Sequence, residues 1–230
     1  MPTEKHKHVQ AIAKEVHTRL GSFITSEATE SSIARKAVDL LAELGVTETW
    51  YHNVPAFVLL GSRSCLSISG RDYKPANEQV GDINLITIDL SPKVGNVWGD
   101  CARSYAVEGG QVTQNPRLAD FVGGFAIERA LHAEMIEFVT PNTKFSELFE
   151  FSNARIKHYG YENLDFLGNV GHSIEARTSD RRFVDSRCHE SLGDVAFFPF
   201  EPHIRQEGSK WGFKHEEIYY FNQDGRAVAL

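Results

Sequence analysis

The sequence predicts a single α/β domain with an internal pseudo-two-fold repeat, and three observations support this. Its 230 residues are 41% hydrophobic and 24% charged, ordinary values for a globular chain long enough to bury a large core. Helical and strand-like hydrophobic patterns occur in both halves. In each half a helix end leads through a threonine-bearing turn into a helix that closes on glycine, and Thr25 and Thr140 lie 115 residues apart. Because no Pro/Gly/Ser-rich linker separates the halves, we expect residues 1–230 to form one domain.

The first half is predicted to contain two helices followed by strands. The first helix carries an apolar stripe at helical spacing, formed by Val9, Ile12, Val16, Leu20 and Ile24. The second begins near Thr29, a suitable N-cap, and stops at Gly45, a residue that tolerates the left-handed C-cap conformation. Strand-like runs follow at 55–61, 64–69, 83–90 and 96–107.

The second half is predicted to repeat this plan. Apolar residues from Leu118 to Ile136 indicate a long helix, and those from Phe145 to Tyr159 indicate another, capped by Gly160. Strand-like runs then cover 194–202, 215–222 and 226–230, and the segment 223–225 between the last two is a hairpin turn.

Composition restricts the partners and the compartment. The net charge of −7 argues against a general binder of nucleic acid or anionic membrane. Three widely separated cysteines without a C-x-x-C pair argue against a disulfide framework or a thiolate zinc site. The amino terminus is polar and the apolar runs are too short to span a bilayer. We therefore expect a cytoplasmic protein whose partners are a small substrate and, in a homodimer, a second copy of itself.

Two aspartates lie where strands should be apolar. Asp89 ends the run INLITIDL, and Asp100 lies eleven residues later in NVWGDCARSY. The intervening SPKVG is turn material, which would fold the two runs into an antiparallel ribbon with both acids facing one point. Two close carboxylates cannot both stay ionised without a cation between them, so a metal explains the pair. An ordinary salt bridge to Arg103 is the alternative, and the ribbon by itself leaves both open.

Further potential ligands occur downstream. Glu201 follows AFFPF, Glu216 precedes IYYF, and His172 lies in the glycine-containing turn GNVGHSIE. One histidine with four carboxylates is an oxygen-rich donor set, suited to two divalent ions such as Mn, Fe(II), Co or Zn. The pattern indicates a catalytic metal centre.

The order and spacing of these residues resemble the M24 metallopeptidases, the family of methionine aminopeptidase, Xaa-Pro aminopeptidase, prolidase and creatinase. GDINLITIDL and GDCARSYAV are similar to the two strands that carry its aspartates, and GHSIE and FPFEP are similar to its histidine turn and its next glutamate strand. The resemblance implies the pita-bread fold, a curved and mainly antiparallel sheet covered by helices. It begins within the first thirty residues, so we expect no N-terminal accessory domain.

The resemblance also implies a role for each ligand. Asp89 would chelate one metal, Asp100 and Glu216 would bridge both, and His172 and Glu201 would complete the other. A hydroxide would bridge the pair, and Glu201 would take the proton from the attacking water. Glu216 is preferred over Glu217 because it lies nine residues before the turn glycine, Gly225.

The peptide-handling positions of the family are changed. Its two further histidines would fall at Ser69 and Ser179, whose hydroxyl groups cannot act as acids or bases near neutral pH. His203 could replace one of them in space or could be a histidine at a sheet edge. Trp98 could line the substrate pocket or pack in the core, and the same holds for Trp211 and Phe213.

Four arginines follow the altered histidine turn: Arg177, Arg181, Arg182 and Arg187. They could clamp an acidic substrate or form a solvated loop.

We therefore predict a metal-dependent hydrolase that cleaves a peptide or peptide-like C–N bond, acting on a small peptide or amino-acid-derived substrate. The two serines keep open a biosynthetic or catabolic enzyme that uses the same metal site on a small amino-acid derivative. A catalytically inactive domain that binds peptides or proteins is the third possibility.

Overall fold

The computed structural model describes residues 3–230, which form four α-helices and thirteen short strands. The helices are α1 (Glu4–Phe23), α2 (Glu30–Glu43), α3 (Ala119–Phe138) and α4 (Phe145–His158). The strands are β1 (Glu48–Thr49), β2 (Ala56–Leu60), β3 (Ile83–Leu90), β4 (Pro92–Val94), β5 (Val97–Trp98), β6 (Cys101–Glu108), β7 (Gln111–Thr113), β8 (Tyr161–Asn163), β9 (Phe198–Phe200), β10 (His203–Gln206), β11 (Gly212–Lys214), β12 (Glu217–Phe221) and β13 (Ala227–Ala229).

The helix ends follow the local chemistry that predicted them. Thr29 caps α2 through a capping box, in which its hydroxyl accepts from the Ser32 amide and the Ser32 hydroxyl accepts from the Thr29 amide. Gly45 and Gly160 follow α2 and α4 with positive φ angles of 84° and 76°, which glycine adopts without strain. All four predicted helices are confirmed.

The strands are paired antiparallel throughout the named sheets. The largest sheet has the order β2-β3-β6-β7, and in it Asp89 of β3 lies opposite Ala102 of β6. Three three-stranded sheets have the orders β13-β12-β9, β11-β10-β8 and β1-β4-β5. The first and second halves meet where the Glu216 amide donates to the Ala102 carbonyl at 3.0 Å. This junction brings β6 beside the start of β12.

The two halves repeat closely. Helices α1 and α3 each have 20 residues, α2 and α4 each have 14, and both pairs begin 115 residues apart. His17 of α1 bonds to the Tyr105 hydroxyl at 2.7 Å, and His132 of α3 bonds to the Tyr219 hydroxyl at 2.8 Å. The predicted pseudo-symmetry is therefore confirmed down to individual side chains.

Two large apolar cores lie under the two helix pairs, and the second also includes Leu85 and Ala106 of the large sheet. One core packs α1 and α2 against one face of the large sheet, with Ile33, Ile86 and Ile88 fully buried. The other lies under α3 and α4 and includes Phe121, Phe145 and Phe200. Within residues 3–230, no helix is both long enough and apolar enough to cross a membrane.

Three strand predictions and one turn prediction need correction. The segment 64–69 was expected to be a strand, but Gly61–Cys65 is a 3₁₀ helix in which the Ser64 hydroxyl donates to the Gly61 carbonyl at 2.6 Å. Side-chain bonds of this kind compete with sheet pairing. The expected turn at 91–95 contains β4, and the 96–107 run is divided at Gly99 and Asp100 into β5 and β6. In the 194–202 run only β9 is a strand.

Candidate metal centre

The two aspartates lie at the same end of the β3–β6 ribbon. Asp89 is the next-to-last residue of β3, and Asp100 directly precedes β6. Gln10 of α1 holds the backbone at Asp100, because its amide nitrogen donates to the Asp100 carbonyl at 2.8 Å and its amide oxygen accepts from the Asp100 N–H at 3.0 Å. The buried Gln10 thus takes the place of a neighbouring strand where the chain leaves the ladder. No sequence motif marked this residue.

The second half positions the other three side chains through short backbone contacts. Gly171, just before His172, bridges to Phe200, and an added Cβ there would lie 2.1 Å from the Pro199 carbonyl oxygen. Only glycine fits at that position, and the close approach brings His172 beside the end of β9. Glu201 follows β9 directly, and Glu216 directly precedes β12.

The five side chains converge into two overlapping groups. Asp100, His172 and Glu216 each offer one ligand atom within 4.8 Å of the others, and Asp89, Glu201 and Glu216 do the same. The imidazole Nε2 of His172 lies 3.3 Å from Asp100 Oδ2 and 3.7 Å from Glu201 Oε1. Glu216 belongs to both groups.

The burial and spacing of these carboxylates favour a bound cation over a cluster of acids alone. Asp100 Oδ2 and both Glu216 carboxylate oxygens are buried and form no hydrogen bond with any of residues 3–230. Burial raises the pKa of Asp100 to about 7. Burial and the charges of Asp100, Glu201 and Asp89 raise the pKa of Glu216 well above its usual value. Buried acids without partners are costly, and divalent cations supply the missing charge.

His172 has the tautomer that suits a metal ligand. Its Nδ1 lies 2.9 Å from the Ser173 carbonyl oxygen, which can only accept, so Nδ1 carries the proton. In the neutral ring Nε2 then has a free lone pair facing the carboxylates. Burial lowers the pKa of His172, but the neighbouring Asp100 and Glu201 outweigh that effect and raise it overall. A cation at the site would remove this stabilisation of the protonated ring.

A lysine that the sequence reasoning missed lies among these acids. Lys214 Nζ is 2.6 Å from Asp89 Oδ2 and 3.0 Å from Glu201 Oε2. Burial disfavours its charge, but Asp89, Glu201 and Glu216 raise its pKa well above the ordinary value. Burial also raises the pKa of Glu201, yet the charges of Lys214 and His172 reverse this and lower it overall. A signal was available, since Lys214 and Glu216 are two residues apart, the spacing that shares one face of a strand.

The structure bears on two alternatives that the sequence left open. Arg103 pairs with Glu217 and does not form a salt bridge with Asp89 or Asp100. Glu217 forms a second ion pair with Lys14, whose Nζ lies 2.9 Å from Glu217 Oε2. Glu217 is therefore engaged by cations, whereas Glu216 is 1% exposed and lies among the acids.

Of the three aromatic candidates, only Trp98 lies against the cluster. Its ring stacks on His172 with centroids 6.0 Å apart, and its indole N–H donates to the Glu175 carbonyl at 2.8 Å. Trp50, which was not predicted, packs on both Trp98 and His172. Trp98 also belongs to a small apolar core, and Trp211 and Phe213 belong to the core under α3 and α4, so the packing interpretation is correct for all three.

The polar candidates differ in position. The Ser69 hydroxyl accepts from the Arg71 amide, and the exposed Ser179 hydroxyl donates to Asp180, so both bond only within their own loops. His203 is not at a sheet edge, because β10 is the central strand of its sheet and places His203 opposite Lys214. Its Nε2 donates to the Ser64 carbonyl at 2.6 Å, and burial lowers its pKa to about 4. His203 is thus a neutral buried histidine beside Lys214.

Several solved structures share this fold. An X-Pro aminopeptidase from Thermotoga maritima superposes with a TM-score of 0.81 at 18% identity, over 98% of this chain and 59% of that one. A prolidase from Pyrococcus horikoshii gives 0.77 at 18% identity, over 100% and 62%. An Xaa-Pro dipeptidase from Bacillus anthracis gives 0.77 at 16% identity, over 100% and 61%. The chain therefore spans about three fifths of the length of each, and the pita-bread prediction is confirmed.

The family comparison covers nearly the whole sequence. A search of curated proteins finds no match. The model of metallopeptidase family M24 matches residues 4–223, a range that includes all five convergent side chains. The chain therefore belongs to metallopeptidase family M24, a family of metal-dependent hydrolases.

Proposed function

We propose that this chain hydrolyses a peptide or peptide-like C–N bond, with two divalent metal ions held by Asp89, Asp100, His172, Glu201 and Glu216. The observation that carries the proposal is the pair of donor groups that share Glu216, together with buried carboxylate oxygens that lack hydrogen bonds. Two ions would be placed side by side by two such overlapping groups. Asp100, which lies next to both His172 and Glu216, is the second candidate bridge.

The residues of the chain divide the chemical work. Divalent ions, when bound, lower the pKa of a shared water and stabilise the oxyanion that forms on the scissile carbonyl. Glu201 is the proposed proton acceptor, because its lowered pKa keeps it ionised at neutral pH and its carboxylate lies in the donor group with Asp89 and Glu216. Lys214 Nζ contacts Oε2 of this carboxylate, whereas His172 Nε2 lies near its Oε1.

Two aromatic rings, those of Trp50 and Trp98, pack against the His172 imidazole. Trp98 is 3% exposed, so water has little access to the face of the imidazole that it covers. Exclusion of water strengthens the electrostatic interactions between a substrate and the charged groups.

A second candidate function is a non-peptidase reaction on a small amino-acid derivative at the same metal site. The specific observation behind it is the local hydrogen bonding of Ser69 and Ser179, which leaves no acid at the positions where the family resemblance places histidines. His203 does not replace them as a proton donor near neutral pH, because its pKa is lowered to about 4.

Metal analysis and a substrate panel test the proposal together. Purified protein loaded with Mn²⁺ or Co²⁺ should retain two ions per chain after removal of free metal and should cleave Met-Ala or Xaa-Pro dipeptides. Asp100→Ala should lose both ions and all turnover. A filled site without cleavage of any peptide would favour the second function, and a native protein that binds no metal would indicate the inactive binding domain.

A further inference from the structure

One arginine beside the candidate metal centre lacks a carboxylate partner. Of the four arginines after the histidine turn, Arg177 pairs with Asp180, Arg182 with Glu175 and Glu190, and Arg187 with Asp185. Arg181 forms no ion pair with any side chain of residues 3–230. Among the described residues, its one hydrogen bond runs from Nε to the Thr178 carbonyl oxygen at 2.9 Å.

The Arg181 side chain is held over two aromatic rings that both contact the metal-site histidine. Its guanidinium carbon lies 5.0 Å from the centroid of the Trp50 ring and 5.3 Å from that of Phe183. The same two rings pack edge-on against the His172 imidazole at 5.8 and 6.2 Å. The guanidinium is therefore separated from the cluster by the thickness of one aromatic side chain.

A guanidinium held in this way is suited to one kind of ligand. Its Nε and one face are occupied, whereas its terminal nitrogens are free to donate two parallel hydrogen bonds. That planar pair matches a carboxylate, and an arginine stacked on rings loses little conformational freedom when it binds. The half-buried aromatic surroundings strengthen such a pair relative to one in open solvent.

We propose that Arg181 binds a carboxylate group of the substrate and makes this chain selective for acidic substrates. The proposal rests on the hydrolase function proposed above. The carboxylate can be the free C-terminus of a dipeptide or an acidic side chain, and the chemistry of recognition is the same for both.

Two matched substrate pairs distinguish the sources. Ala-Pro and Ala-Pro amide differ only in the terminal carboxylate, and Glu-Pro amide and Gln-Pro amide differ only in the side-chain carboxylate. With the Mn²⁺-loaded full chain, kcat/KM should favour the acidic member of one pair by roughly 10- to 100-fold, the range expected for a charge-assisted bidentate contact, and mainly through KM.

Variants then assign the preference to Arg181. Arg181→Gln should reduce the ratio within that pair to about one, and Arg181→Lys should keep part of it, since the charge remains without the planar fork. Arg177→Gln is the matched control, because Arg177 lies in the same loop but pairs with Asp180. It should leave the ratio unchanged. Thermal melts of all variants establish that they fold.

The same peptides also separate this proposal from the proposed function. If the wild type cleaves none of them, titration calorimetry with the same four peptides still measures whether the acidic member binds more tightly and whether Arg181→Gln removes the difference. The inference is overturned if the wild type distinguishes neither pair in turnover or in binding. It is equally overturned if Arg181→Gln, or Arg181→Lys where the glutamine variant does not fold, retains the full preference.

Discussion

Glu216 and Glu217 are adjacent in sequence but have opposite electrostatic surroundings, and this makes them a sharp test of the proposed site. Glu216 belongs to both donor groups, and neither of its oxygens has a hydrogen-bonding partner in the described part of the chain. Glu217 is paired with Arg103 and Lys14. We expect Glu216→Gln and Glu217→Gln to change metal binding and stability in opposite ways.

The size of the expected change in stability follows from the linkage between metal binding and folding. An ion at a hundred times its dissociation constant stabilises the folded state by about 2.7 kcal/mol, so two ions contribute about 5 kcal/mol. For a chain of this size that corresponds to a rise in melting temperature of roughly 10–20 °C. Glu216→Gln should remove the whole rise, because both ions would use this carboxylate. Glu217→Gln should keep it.

The metal-free proteins should differ in the other direction. In the absence of metal Glu216 is a buried acid without a partner, so replacing it with a neutral isostere should leave stability unchanged or raise it by about 1 kcal/mol. Glu217→Gln removes the partner of Arg103, whose side chain is 22% exposed, and should cost about 2 kcal/mol. Denaturant unfolding in EDTA measures both values.

Melting curves with EDTA and with Mn²⁺, together with metal analysis after gel filtration, complete the assay. If Glu216→Gln retained both ions while Glu217→Gln lost them, the reasoning would be refuted, since the register of the last ligand would be shifted by one residue. A large loss of stability in metal-free Glu216→Gln would refute the description of this carboxylate as an unpaired charge.

Two further predictions concern the metal-free protein. Lys214→Met should destabilise it by about 3 kcal/mol in EDTA, because Asp89 and Glu201 lose the cation that they share. The same variant should be stabilised more strongly by Mn²⁺ than the wild type. An equal loss of stability with and without metal would contradict this. Burial lowers the pKa of His17 to about 3 and that of His132 to about 4. In the unfolded chain both histidines would titrate near 6.5. Below that pH the unfolded chain therefore binds more protons than the folded one, and the free energy of unfolding falls as the pH is lowered. Between pH 7 and pH 5 the two should cost about 4 kcal/mol, and in EDTA the variant with His17→Gln and His132→Gln should lack that part of the slope, whereas an unchanged slope would show that other groups cause it.

The sequence predicted those features that depend on local chemistry. Both ends of α2 follow from Thr29 and Gly45, and β3 has the bounds of its apolar run. The four acids were chosen because they interrupt strand-like apolar runs, His172 was chosen as a histidine in a glycine-containing turn, and the preference for Glu216 over Glu217 rests on the family resemblance. Their assignment as ligands remains a prediction until metal is measured.

What the sequence did not predict depends on contacts between distant segments. Gln10 holds the backbone of Asp100 across 90 residues of chain. The segment 64–69 looks like a strand, but its serines bond to the local backbone, and the Ser64 hydroxyl also accepts from the distant Gly212 amide at 2.8 Å. No hydrophobic period distinguishes a serine that pairs in a sheet from one that closes a turn.

The repeat explains why the cluster is rich in acids and which residues make it asymmetric. Asp89 and Asp100 flank the ladder of the first half, and Glu201 and Glu216 lie at corresponding points around β9 and β12 in the second. A pseudo-two-fold axis by itself would therefore generate two equivalent sides, each with two carboxylates. His172 and Lys214 both come from the second half, and both lie beside Glu201, with His172 also next to Asp100 and Lys214 also next to Asp89. A reaction that attacks one face of a substrate needs such asymmetry, and here it comes from one imidazole and one ammonium group that have no counterpart in the other half.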